Sequence, residues 1–144
     1  MCTVLAAHNV SYTQRLLNTA VIGLGHKLLE VQSIDQALRV CEQTSPDLVV
    51  TETQFSDGAG HELLSKLRDK GVHCMAIVLA NDLSDLSKYN WRDLHVFDVV
   101  VKPTSLLEIS RKIEDALDLT SNHDRVIRML DGIIRRNAMA LATT

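Results

Sequence analysis

The sequence predicts an α/β protein, a doubly wound three-layer sandwich whose parallel sheet has the strand order 2-1-3-4-5, with a helix added at the C-terminus. Three observations predict it. Five short runs rich in valine, leucine and isoleucine alternate with five helical patterns. The middle run, Asp47-Leu48-Val49-Val50-Thr51, is apolar enough to be buried on both faces, as a central parallel strand must be. The length of 144 residues fits one domain and a short appendage, divided here as 1–120 and 121–144.

Thr3-Val4-Leu5-Ala6 reads as the first strand. A helix follows from Ser11 to about Leu24, with Leu16, Leu17, Ala20 and Val21 on one face and Gly23 and Gly25 ending it. Lys27 to Val31 is the second strand. Ser33 caps a helix that spaces Ile34, Ala37, Leu38 and Cys41 on one side, and Pro46 closes that element. After the central strand, Ser56-Asp57-Gly58 is a turn. A third helix carries Leu63, Leu64 and Leu67 and stops near Gly71. Met75 to Leu79 is the fourth strand, a weak polar helix lies around Ser84 to Tyr89, and Val96 to Val101 is the fifth strand, closed by Pro103. Leu106, Ile109, Ile113, Ala116 and Leu117 then mark a helix from Ser105 to about Leu119.

Composition narrows the function classes. The chain is 46% hydrophobic and 23% charged, which supports a soluble domain with a real core. A net charge of -3 argues for neither nucleic acid nor membrane. Cys2, Cys41 and Cys74 are odd in number and lack metal-knuckle spacing, and the six histidines form no HxxxH or HExxH pair. No disulfide framework, metal centre or cofactor is therefore expected. No apolar run approaches the roughly 18 residues that span a bilayer, and a cytoplasmic protein is the expectation. In a doubly wound sheet, ligands sit beyond the carboxyl ends of the strands beside the first one. That rule points to residues 6–9, 52–57, 80–82 and 102.

Residues in the same places carry a family resemblance. Pro46-Asp47-Leu48-Val49-Val50-Thr51-Glu52, followed by Gly60-His61-Glu62-Leu63-Leu64-Ser65-Lys66-Leu67-Arg68, resembles the middle of response-regulator receiver domains. Val101-Lys102-Pro103 resembles their late lysine-proline signature. With the element spacing, the resemblance covers about residues 2–118. It implies a CheY-like, flavodoxin-like fold and a role in two-component signalling. Receivers accept a phosphoryl group on an aspartate ending strand 3; an acidic pair after strand 1 holds Mg²⁺, a Thr or Ser ends strand 4, and a lysine ends strand 5. Mg²⁺ is a hard cation that wants carboxylate oxygens, and the lysine pairs with phosphate.

Against that pattern this sequence departs at most positions. Ala6 and Ala7 are read at the acidic pair, Glu52 at the acceptor and Ala80 at the hydroxyl residue. Val99 stands where many receivers carry a switching aromatic, and only Lys102 and Pro103 are kept. The resemblance thus implies a degenerate pseudo-receiver that is not an enzyme and does not phosphorylate itself. Glu52 opposite Lys102 is read as an ordinary ion pair or solvated carboxylate; the sharper alternative is a permanent mimic of the phosphorylated state. His8, Asp57 and Asp82 are expected at the rim of the old pocket. His8 is read as a loop histidine in preference to a metal ligand or pH sensor.

Residues 121–144 carry Arg125, Arg128, Arg135 and Arg136 against Asp124 and Asp131, a net +2. Ile127, Leu130, Ile134 and Leu141 follow a seven-residue stripe on an amphipathic helical pattern that Gly132 weakens by about 1 kcal/mol. The stripe pairs with its copy in a homodimer, docks on its own domain, or leads to an output domain; the first is preferred. Taken together, the chain reads as a phosphorylation-independent signalling module. It binds protein partners through its tail and through the face of the fourth helix, fifth strand and fifth helix. Trp91, beside Tyr89 and before the fifth strand, is expected to be partly buried against the domain. Two alternatives remain: phosphorylation at an atypical acceptor, Glu52 or Asp57, and a small-ligand sensor in the space left by Ala6, Ala7 and Ala80.

Overall fold

The computed structural model describes residues 1–91 and 93–119. The elements are β1 (Thr3–Ala7), α1 (Ser11–Gly23), β2 (Lys27–Val31), α2 (Ile34–Gln43), β3 (Leu48–Glu52), β4 (Gln54–Phe55), β5 (Gly58–Ala59), α3 (Gly60–Asp69), β6 (Met75–Ala80), α4 (Leu83–Ser87) and β7 (Val96–Val101). A last helix, α5, runs over 106–119 to the end of the described residues. The tail stripe of Ile127, Leu130, Ile134 and Leu141 lies outside them.

Five strands form one parallel sheet in the order β2-β1-β3-β6-β7, the 2-1-3-4-5 order expected from the alternation of strands and helices. All five residues of β3 are buried, because this strand is central and covered on both faces. Two apolar clusters flank the sheet. On one side α1 and α5 bring Leu17, Val21, Ile109 and Ile113 onto Val4, Val50 and Ile77. On the other, α2 and α3 bring Ile34, Leu63, Leu64 and Leu67 onto Leu5, Val49 and Val78. Strand alternation makes this possible: Val4 and Val50 point one way, Leu5 and Val49 the other.

Local chemistry fixes the ends. The Ser33 hydroxyl accepts from the Gln36 amide at 3.1 Å, capping α2 as its sequence indicates. The Ser56-Asp57-Gly58 turn closes a two-residue antiparallel hairpin, β4–β5, which is too short to show a period in the sequence. Immediately after it comes a tight approach. A Cβ on Gly60 would lie 2.1 Å from the Glu52 carbonyl oxygen, so only glycine lets α3 start against the end of β3. Trp91 is half-buried, its indole N–H donating to the Leu86 carbonyl at 2.9 Å, in line with the expectation of burial against the domain.

Candidate functional site

The parallel register brings the carboxyl ends of the strands together. Ala7 pairs with Thr51, Glu52 with Leu79, and Ala80 with Val101. Beyond these ends lies a small cleft of about 170 Å³, lined by Asn9, Val10, Glu52, Thr53, Gln54, Asn81 and Lys102.

Glu52 is its centre. It is 3% exposed, yet none of its oxygens lacks a donor. Oε2 accepts from the Asn9 amide at 2.7 Å, and Oε1 accepts from the Thr13 hydroxyl at 2.9 Å and from the Lys102 ammonium at 2.5 Å. Burying a carboxylate costs free energy unless it is paired and hydrogen-bonded, and both conditions are met here. The donors come from three places: the β1–α1 loop, the first turn of α1 and the end of β7. The Lys102 amide donates to the Ala80 carbonyl at 2.8 Å, which sets the lysine over the end of β6. The Lys102–Pro103 peptide is cis.

A second carboxylate stands behind the cleft. Asp85, on α4 and 5% exposed, accepts from the Thr53 hydroxyl at 2.5 Å and the Asn81 amide at 3.2 Å. Asn9 extends the network outward: its side-chain amide donates to the Gln54 carbonyl at 2.6 Å, and the Gln54 side chain donates to the Tyr89 hydroxyl at 3.3 Å. Tyr89 in turn stacks on His61 at 5.3 Å. Asn9 falls within the residues 6–9 that the sheet rule points to, whereas Thr13 and Asp85 were not expected there. Thr13 sits at an inward helical position that a hydrophobic pattern passes over, and Asp85 lies on the weak polar helix.

The other expected residues are distributed differently. Ala6 and Ala7 do not line the cleft. The strand continues through Ala7, so both are core residues paired to β2 and β3, one on each face of the sheet. The residues that leave the strand are His8 and Asn9. Ala80 is also fully buried at the end of β6, and the room that the three alanines were expected to leave is filled by packing. His8 lies in the loop after β1, as expected, and it is buried there. It is 2% exposed, and its Nε2 lies 3.5 Å from a Glu30 oxygen without a hydrogen-bond partner among the described residues.

Asp57 and Asp82 are not on the rim either; each caps a helix. Asp57 accepts from the Ile34 and Asp35 amides, both at 3.1 Å, and these bonds hold its carboxyl below the usual carboxylate range. Asp82 accepts from the Ser84 hydroxyl at 2.6 Å and the Asp85 amide at 2.9 Å, with the same effect on its carboxyl. Val99, half-buried in β7, packs at the edge of the cluster on the α2–α3 side.

Comparison with known proteins gives a consistent answer. The family model for the response regulator receiver domain matches residues 4–114. The KDP operon transcriptional regulatory protein KdpE of Escherichia coli K12 is 25% identical over 134 residues, which cover 91% of this chain and 59% of KdpE. The chain therefore spans little more than half the length of that relative. Two solved structures share the fold. The CheY-like response regulator receiver domain protein of Methanospirillum hungatei JF-1 superposes with a TM-score of 0.75 at 15% identity, covering 85% of this chain and 98% of that one. The response regulator TrrA of Thermotoga maritima, solved in complex with Mg²⁺ and BeF, gives 0.70 at 19% identity, covering 81% and 99%.

Proposed function

The chain belongs to the response regulator receiver domain family, and from that premise we propose that it is a pseudo-receiver, a signalling module that binds protein partners without being phosphorylated. The observation that carries this reading is the pairing of Glu52 at the acceptor position. Its Oε1 is held by the Lys102 ammonium and the Thr13 hydroxyl and its Oε2 by the Asn9 amide, so a buried carboxylate with its charge offset stands where receivers carry their acceptor.

The Mg²⁺ that receivers use does not fit here. The residues after β1 are His8, turned toward Glu30, and Asn9, whose side chain is tied to Gln54. One carboxylate already neutralised by a lysine is a poor site for a cation that prefers several oxygen ligands. Among the described residues no group of three His, Cys, Asp or Glu is placed to hold a metal. The atypical acceptors fare no better, since Asp57 spends its oxygens on the α2 amides. A ligand sensor finds little support in a cleft of about 170 Å³, smaller than the roughly 300 Å³ at which small-molecule pockets begin.

Partners are proposed to bind on the face of α4, β7 and α5, where Leu83 is 74% exposed, Val101 37% and Leu107 61%. Single exposed apolar residues are ordinary, and it is the presence of two leucines and a valine on these three elements that supports a protein-binding surface here. Residues 121–144 are proposed as an extension that pairs with its copy in a homodimer. No helix among the described residues is long and apolar enough to cross a membrane. A cytoplasmic location, with neither nucleic acid nor lipid as a direct partner of this domain, completes the proposal. Beryllium fluoride with Mg²⁺, a tetrahedral phosphoryl mimic, tests it. The amide spectrum of the cleft residues is expected to stay unchanged at millimolar mimic, and saturable shifts at Asn9, Glu52 and Lys102 would overturn the reading.

A further inference from the structure

The layer formed by α1 and α5 leaves apolar surface uncovered along its seam. Where the two helices begin, a groove of about 280 Å³ opens between them, lined by Tyr12, Arg15, Leu16, Thr19 and Leu106. Tyr12 and Leu106 are each 44% exposed, although both are large and carbon-rich. At the opposite end of the same layer, Ile22 is 56% exposed and Leu119 44%. The layer thus exposes apolar side chains at both ends, with the groove itself at the end where the two helices begin.

Three features of the remaining sequence match this seam. The first is reach. The stripe from Ile127 to Leu141 covers about 21 Å as a helix, close to the roughly 20 Å of the 13-residue α1. The second is direction. Residues 120–125 begin at the Leu119 end of the seam and include Ser121, Asn122 and Asp124, residues that favour caps and turns. A reversal of two to five residues joins antiparallel helices, and it would lay the stripe back along the seam. The third is charge. Glu108, Glu114, Asp115 and Asp118 against Arg111 and Lys112 give α5 a net -2, and Arg15 of α1 brings the two helices to -1, opposite to the +2 of residues 121–144.

We propose that the seam between α1 and α5 binds the apolar stripe of residues 126–141 of the same chain. Tethering through a few residues gives the stripe an effective concentration in the millimolar range, which favours its own domain over a second copy at low protein concentration. The docked tail then competes with the homodimer proposed above. Only this competition rests on that reading; the docking stands by itself. The groove is an autoinhibitory surface that releases the tail when a partner or a second tail outcompetes it.

Two full-length variants test this. Ile134→Glu places a charge in the stripe and lies outside the described residues. In dilute samples that light scattering shows to be monomeric, it is expected to shift the amide resonances of Tyr12, Thr19 and Leu106 and to leave those of Glu52 and Lys102 in place. Leu106→Glu spoils the groove while sparing the tail, and is expected to tighten the dimer at least about fivefold across a dilution series. If Ile134→Glu moves no α1 or α5 resonance in the monomer, the docking is overturned. If the shifts appear only at concentrations where dimer forms, the groove holds the tail of a second copy and the same-chain proposal is overturned. If the shifts are present and no dimer forms at any concentration, the docking is supported and the homodimer falls.

Discussion

At the residue scale, the site turns on one methylene and one neighbour. Glu52 is long enough to reach both Lys102 and the Thr13 hydroxyl from the end of β3. Removing the cation leaves the carboxylate buried without its counter-charge, so Lys102→Met is expected to destabilise the domain by about 3 kcal/mol in denaturant unfolding. Adding Glu52→Gln to that variant is expected to recover part of the loss, and additive losses would show that the two side chains do not act as a pair. Gly60 is the second sensitive position. Gly60→Ala forces a methyl against the Glu52 carbonyl and is expected to cost about 1–3 kcal/mol; a neutral result would contradict the close approach. Glu52 and Lys102 were legible in the sequence because the motifs around them are contiguous. Asn9 fell within the residues the sheet rule marked, but Thr13 did not, since its partner lies 39 residues away and nothing local marks the contact.

At the element scale, helix caps explain most of what the sequence reading misplaced. An aspartate beside a glycine looks like a turn near the site, and whether it serves the cleft or an adjacent helix depends on which amides the fold brings to it. Asp57 meets the N-terminus of α2. Its folded pKa lies below the unfolded value of about 3.9, so its contribution is complete above that pH and is lost as pH falls through the folded value. The stability difference between the native chain and Asp57→Asn is therefore expected to shrink on acidification. A constant difference from pH 6 to pH 3 would show that the cap carries no charge-dependent part. The strands were legible to within a residue because valine, leucine and isoleucine runs are bounded by polar loops. The end of β1 was not, because Ala6 and Ala7 suit a strand as well as a loop. Only the register with β2 and β3 places both in the core and hands the strand exit to His8 and Asn9.

For the whole molecule, the strand order follows from alternation and the right-handedness of parallel crossovers, which is why the topology could be read before any contact was known. The position of the cleft follows from that order as well. Its contents do not, because closing a site depends on which side chains three separated segments turn toward one another. On the proposed reading, this closure prevents phosphoryl transfer. Intact mass spectrometry of the full chain after incubation with acetyl phosphate and Mg²⁺ tests it most directly. The predicted result is an unchanged mass at times when an active receiver is modified. A mass increase of one phosphoryl group, mapped to Glu52 or Asp57, would contradict the account.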